Sequence, residues 1–466
     1  MGAQANTTKG TIKTRILKKT KSEALNLALD TIKIGKQALL FCNAKRSAEK
    51  TAEDLAKHIK DVSLPELAEQ IKKALSSPTK QCTRLANCIV RGVAFHHAGL
   101  TQKQKELIED EFRSGKVRVI CCTPTLAAGV DIPSFRTILK DLRRFQSPRG
   151  MVWIPVLEYE QMAGRSGRPS YDTFGEAIAV AKTEADQDKI YEKYICGVPE
   201  DIYSKLAVEP VLRTYLLSLI SAGFVRDKKQ ILAFFNKTFW AFQFQDMGQL
   251  EKIIDKMLDL LEEFQFITTE KTKHAKGDFV TGAELAEHVG GKIEATVLGR
   301  RVAQLYLDPL TANHIVRALH KAKRNKAHIS DFSFFHLASN RLEMRPLLRV
   351  KTKEWDTYQD MIMQKETEFL EIEPDLYDPL HDEYVYGVKT ASFFQEWCDE
   401  MLEDYLLEKY AIRPGEVRVK ITIADWILYS AEELAKLLKM HGLIKDIMKV
   451  RFRLKYGVKE ELLPLL

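Results

Sequence analysis

The stretch Gln161-Met162-Ala163-Gly164-Arg165-Ser166-Gly167-Arg168-Pro169 decides how the rest of this chain is read. Two arginines three residues apart can present two planar guanidinium groups on one side of a helix end, and Gly164 and Gly167 keep Cβ atoms out of a phosphate's way. That arrangement is an anion clamp. Alone, it could equally be a solvated arginine pair in a glycine-rich turn. Two stretches upstream shift the balance: Phe95-His96-His97-Ala98-Gly99-Leu100 and Thr123-Pro124-Thr125-Leu126-Ala127-Ala128-Gly129-Val130-Asp131 precede it in that order.

These stretches sit in an alternating pattern. The sequence predicts a helix from Lys21 to about Ile34 and a buried strand over 37–42, then a helix from Ala44 to Lys60 capped by Asn43. A charged, loosely helical insert spans Leu64 to Asn87. Strands follow over 92–95, 117–122, 137–142 and 175–181, with a Thr101-x-x-Gln104 capping box opening the helix between the first two and a helix around Glu158 to Arg165. Strands alternating with amphipathic helices indicate a doubly wound parallel sheet, whose ligands bind at the carboxyl ends of its strands. The stretches 96–99 and 123–131 are expected there. Beyond Val198-Pro199 the texture turns helical: Glu209 to Ser221, Lys229 to Phe242 and Leu250 to Phe264, then strand-loop-strand character around Lys276-Gly277. Three helices and a small wing suggest a winged helix, with a generic helical bundle as the alternative. From Leu298 onward, helices with short connections imply a bundle.

The expected fold class is therefore α/β plus all-α. Residues 1–20 are expected to form an N-terminal arm, 21–198 a doubly wound parallel-sheet domain, 199–297 a winged helix and 298–466 a helical bundle.

Composition sets wide bounds. The 466 residues carry 71 Lys+Arg against 64 Asp+Glu, a net charge of +7 that permits a polyanion partner without demanding one. Seven cysteines, with Cys121 and Cys122 adjacent, show no Cys-x-x-Cys pair and no histidine at zinc-ligand spacing. No metal site is expected, and the thiols read as reduced and buried. No segment is apolar and long enough for a bilayer, and the N-terminus has no signal-like apolar core, so a cytoplasmic protein without a membrane partner is expected.

The order and spacing of the three stretches resemble the second motor domain of superfamily 2 helicases, and more closely the archaeal Hjm-type DNA helicases, relatives of helicase Q. The resemblance continues through Glu209-Pro-Val-Leu-Arg213, Leu307-Asp-Pro-Leu-Thr311, Met344-Arg-Pro-Leu-Leu348 and Lys455-Tyr-Gly-Val-Lys-Glu-Glu-Leu-Leu463. It implies that Gln161, Arg165 and Arg168 form the sixth motif, with the arginines reaching the γ-phosphate of ATP held with Mg²⁺. It also implies that Gly129 and Asp131 form the fifth motif, and that His97, Thr123 and Thr125 touch the DNA backbone. Two of these residues have ordinary alternatives: Asp131 as a turn cap before Pro133, and His97 as a strand-end histidine.

Between motifs five and six, Arg143-Arg144-Phe145-Gln146-Ser147-Pro148-Arg149-Gly150-Met151-Val152-Trp153 reads as a β-hairpin with an aromatic near its tip. In the family, a hairpin here parts the duplex. After Pro414, helical spacing places Arg418, Thr422, Asp425, Trp426, Tyr429 and Lys436 on one stripe, opposite Ala424, Ile427, Ala431, Leu434 and Leu438. Aromatics and cations on a polar stripe suit single-strand binding, and the stretch resembles the family's ratchet helix with Trp426 at the stacking position. Trp426 packed against a neighbouring helix is the alternative. Val419 stands where the family has arginine, leaving Arg418 or Lys420 as substitutes.

No Gly-x-x-x-x-Gly-Lys-[Ser/Thr] loop and no Asp-Glu-x-[Asp/His] box occurs in the sequence. The expectation is thus the C-terminal part of a 3′–5′ DNA helicase acting on single-stranded and forked DNA. A first RecA-like domain, supplied in trans or in a longer protein, would hold the nucleotide and its Mg²⁺, and a last helix-hairpin-helix domain of the family is also missing. The rival readings are an ATP-independent single-strand-binding module and an RNA helicase fragment.

Overall fold

The computed structural model describes residues 16, 18–75, 77–128, 130–146, 149–168, 172–269, 291–324 and 329–465. The chain divides into two units. One comprises the residues up to Asp201 together with Arg413–Glu416, the other Ile202–Ile412 and Val417–Leu466.

The first unit is built on a parallel sheet in the order β2-β3-β1-β4-β7: β1 Ala38–Phe41, β2 Val93–His96, β3 Val119–Cys122, β4 Arg136–Leu139 and β7 Glu176–Ala179. The first four strands are buried along their whole length. This is why Leu39-Leu40-Phe41 and Val119-Ile120-Cys121-Cys122 read as continuous apolar runs rather than alternating ones. The packed helices are α1 Glu23–Lys33, α2 Lys45–Ala56, α3 Pro65–Lys72, α4 Lys80–Ile89, α5 Gln102–Arg113, α6 Val156–Ala163 and α7 Glu184–Ile190. The Thr101/Gln104 capping box is present. The expected Asn43 cap is not: α2 begins after Ala44 without a side-chain cap, and Asn43 Nδ2 donates instead to the Arg143 carbonyl at 2.9 Å.

The chain turns toward β2 after β1 and toward β7 after β4, so the switch point of the sheet lies between β1 and β4. At that point emerges the antiparallel hairpin β5 Arg143–Gln146 and β6 Gly150–Trp153. Among its described residues the β3–β4 connection holds only the 3₁₀ turn Pro124–Leu126, and it must run back from the carboxyl end of β3 to the amino end of β4.

The second unit contains α8 Glu209–Ser221, α9 Lys228–Phe235, α10 Phe239–Phe244, α11 Met247–Glu263, and the two-residue strands β8 Ile267–Thr268 and β9 Glu294–Ala295. The helix expected over Lys229 to Phe242 is broken at 236–238, where Thr238 begins a new helix. The wing expected around Lys276-Gly277 lies outside the described residues. Then come α12 Val297–Gln304, α13 Pro309–Arg324, α14 Asp331–Ser339, α15 Trp355–Gln364, α16 His381–Cys398, α17 Glu403–Lys409, α18 Pro414–Leu437 and α19 His441–Tyr456. One apolar core runs continuously from Leu212 to Leu454, across the expected 297/298 boundary. Among the described residues no helix is long and apolar enough to cross a membrane.

A buried pair staples this unit. Arg213 Nε and Nη2 donate to the Asp308 carboxylate at 2.5 and 2.6 Å, and the same carboxylate accepts from Leu310 N at 2.9 Å at the start of α13. Arg213→Leu, which leaves that carboxylate buried without its partner, should cost about 3–5 kcal/mol in urea unfolding. Adding Asp308→Asn, which keeps the backbone cap, should recover a large part; equal losses in both variants would show that the ion pair is not the staple.

Candidate nucleotide and nucleic-acid surfaces

Helix α6 is started by Glu200, whose carboxylate accepts from Val156 N at 2.8 Å and Leu157 N at 3.2 Å, and it ends at Gly164. The chain then runs beside the amino end of β4: Ser134 N donates to the Arg165 carbonyl and Gly167 N to the Ser134 carbonyl, at 2.8 and 2.7 Å. Gly167 takes a φ of +87°, and a Cβ on the facing Gly175 would stand 2.1 Å from Gly167 N. The glycine at 167 therefore serves the backbone path rather than room for a phosphate.

The two arginines diverge. Arg165 donates through Nε and Nη2 to the Ala127 carbonyl at 3.2 and 2.5 Å, with Nη1 3.6 Å from Asp131, whose side chain is 96% exposed. Arg168 grips Asp172 through Nε and Nη2 at 2.7 and 3.2 Å, and donates through Nη1 to Gln37 Oε1 at 2.9 Å. Gln37 in turn donates to the Phe112 and Val117 carbonyls, so Arg168 is tied into the amino ends of β1 and β3. Hydrogen bonding from Arg168, opposed by burial and aided by Lys36, holds the Asp172 carboxyl at about 2. Gln161 is exposed on α6. Asp131 was expected at the carboxyl end of the sheet; it lies instead by Arg165, because the loop has travelled back along the strands. Gly129 lies outside the described residues.

At the carboxyl end stay Thr123 and Thr125, with hydroxyls 2.9 Å apart, the first buried and the second exposed. His97 is fully buried and unavailable to a DNA backbone, which corrects its expected role. Gly99 N donates to its Nδ1 at 3.1 Å, leaving Nε2–H to donate to Glu49 Oε1 at 3.1 Å. Arg413 Nε reaches the same oxygen at 2.9 Å, and Arg84 reaches the other at 2.9 Å. Burial pushes the His97 ring down in pKa. Burial would push the Glu49 carboxyl up, but hydrogen bonds from His97 and Arg413 outweigh it and hold the group at about 2.

On the hairpin, Phe145 and Met151 face each other across the strands, 70% and 57% exposed. Its expected DNA-binding cations are engaged locally: Arg143 pairs with Asp186 and lies 4.2 Å over the Trp153 ring, and Arg144 pairs with Glu158 at 2.8 Å. What projects thus combines this apolar pair with Arg149, which is exposed at the turn. Trp153, Tyr194 and Tyr159 form a ring ladder with centroids 6.2 and 4.8 Å apart, and Tyr194 donates to the Ile154 carbonyl. The ladder and the Arg144–Glu158 pair both join the hairpin to α6. Glu158, Asp186, Asp172 and Glu200 were not singled out from sequence; their only signal is a carboxylate near an arginine or a helix start. Ser147 and Pro148 at the tip lie outside the described residues.

On α18, Ala424, Ile427, Ala431 and Leu434 are buried, and Arg418, Thr422, Tyr429 and Lys436 are exposed. Trp426 is half-buried and donates its indole N–H to the Leu305 carbonyl at 3.0 Å. Tyr429 lies under Arg451, which Asp425 and Glu432 hold. Lys420 is buried, donating to the Pro346 carbonyl at 2.7 Å, so of the two cations flanking Val419 only Arg418 faces outward.

Residues 20–170 match the helicase conserved C-terminal domain. Residues 332–457 match the archaeal helicase domain 4. Over 469 residues, 95% of this chain and 61% of its relative, the chain is 35% identical to the "ATP-dependent DNA helicase Hel308" of Methanococcus vannielii. It is 35% identical to the protein of that name from Methanocella arvoryzae and 36% to that from Pyrococcus abyssi, over 95% and 94% of this chain and 58% of each of them. The chain spans about three fifths of the length of these relatives.

The buried Glu49 carboxylate makes the first unit sensitive to acid. A carboxyl held at about 2 when folded, against an ordinary 4.5, contributes stability that is full above 4.5 and is lost as pH falls toward 2. Glu49→Gln should lower stability at neutral pH and flatten this acid limb in a denaturation series. An acid limb of unchanged steepness would remove Glu49 from the cause.

Proposed function

We propose that this chain is the C-terminal motor and DNA-binding part of an ATP-dependent 3′–5′ DNA helicase of the Hel308 kind. The observation that carries the reading is the path of residues 123–135, with Thr123 and Thr125 at the carboxyl end of the sheet and the exposed Asp131 beside Arg165 at the other. A strand of DNA at the first end and the γ-phosphate of ATP at the second would be read by one segment. The phosphate-cradling loop and the Mg²⁺ ligands come from outside these residues, in a first RecA-like domain.

In this reading Arg165 is the arginine that meets the charge developing on the transferred phosphoryl group, where a preplaced guanidinium needs little reorganisation. Its present partners, a neutral carbonyl and one fully hydrated carboxylate, are readily given up. Gln161, exposed near the end of α6, would orient the attacking water. Arg168 secures the loop through Asp172 and Gln37, and turns toward phosphate only by leaving them. Winged-helix character in 199–297 and the outward stripe of α18 supply DNA contacts, with Arg418 for phosphate and Trp426 and Tyr429 for bases.

Joined in one polypeptide to a first motor domain from a relative, the chain should show DNA-stimulated ATP turnover, and Arg165→Ala should lower it about 10³-fold or more. Turnover at the parental rate would remove Arg165 from the nucleotide site. On the same fusion, Phe145→Ala with Met151→Ala should leave ATP turnover intact and impair separation of a forked duplex, because an apolar wedge acts by unstacking base pairs. Undiminished unwinding would deny the hairpin that role.

A further inference from the structure

The second unit holds a cavity of about 780 Å³ that no residue of α18 lines. One wall is the face of α13 bearing Arg317, His320, Lys321 and Arg324; the rest of the lining mixes apolar residues such as Leu342, Leu370 and Ile372 with Arg341, Arg345, Glu371 and Glu383. The carboxylates of the cavity are already spent: Asp308 on Arg213, Glu371 on Arg341 and Glu383 on Arg345. The α13 row is neutralised far less. Arg317 has Glu263 at 3.5 Å, with both side chains mostly exposed, and Lys321 donates only to the Glu371 carbonyl at 3.4 Å. His320 and Arg324 have no hydrogen-bond or ion-pair partner among the described residues.

Residues spaced i, i+3, i+4 and i+7 lie along one helix face over roughly 10 Å. Cations in such a row do not converge on a point, as a site for one small anion would require. They suit charges repeated along a line. We propose that this trough carries the phosphate backbone of a nucleic-acid strand, as a second contact line separate from α18. The identity of the polymer rests on the DNA-binding reading above; the row itself does not depend on ATP chemistry. With no exposed phenyl, phenol or indole ring among the described residues that line it, the trough holds the strand through phosphate and is indifferent to base sequence.

The test is the salt dependence of binding by the chain as it stands, with a fluorescent oligothymidylate and no nucleotide. Removing two phosphate contacts by Arg317→Gln with Arg324→Gln, both at exposed positions, should reduce the slope of log affinity against log salt by about 1.4. Trp426→Ala should weaken binding with the slope retained, and Lys353→Gln with Lys445→Gln, exposed cations elsewhere on this unit, should leave slope and affinity as in the parent. Firm binding with the parental slope in the Arg317/Arg324 variant would overturn the trough alone. Failure of the parent to bind the oligonucleotide even at low salt would overturn both the trough and the DNA-binding reading.

Discussion

Because β3 and β4 run parallel with β1 between them, the chain joining them must travel the full length of the sheet. In a doubly wound fold that return is commonly a helix; here the regular element among its described residues is the 3₁₀ turn Pro124–Leu126. The segment therefore touches both ends of the sheet. Its Ala127 carbonyl anchors Arg165, its Ser134 is sewn to 165 and 167, and its Thr123 stays at the opposite end. One segment thus links the two ends of the sheet through backbone contacts.

The second recurring device is the buried or half-buried arginine with a carboxylate. Arg136 ties β4 to α1 through Asp30, the Leu27 carbonyl and the Thr31 hydroxyl, and to β7 through Glu176. Arg168 ties the loop after α6 to β1, and Arg213 ties α8 to α13. Removing one partner of such a pair is costly even where the pair itself contributes modestly, so these contacts constrain geometry more than they add stability. These arginines act as fasteners, and their partners are what show it.

That dependence on partners explains where sequence reading ran out. The strands, the capping box at Thr101 and the hairpin at 143–153 were legible because each depends on neighbours in sequence: apolar runs, a hydroxyl three residues from a glutamine, a glycine turn. The roles of His97 and Lys420 were not legible. His97 is buried because Glu49, on α2, and Arg413, far along the chain, close around it. Lys420 turns inward because the Met344 and Pro346 carbonyls are there to receive it. Helical periodicity placed Trp426 on the polar stripe, while the Leu305 carbonyl on another segment decided how far its ring is drawn in.

The sequence by itself determined a parallel α/β unit followed by helices, and the order of the glycine, threonine and arginine stretches along it. Periodicity and turn chemistry are local, so they survive without the fold. Which of the two arginines is gripped by a carboxylate and which mainly by a backbone carbonyl, and which cations of α13 lack a carboxylate among the described residues, only the tertiary structure decided. Charge is neutralised by whatever lies within a few ångströms, and apart from near pairs such as Arg168 with Asp172 those neighbours come from segments tens to hundreds of residues away.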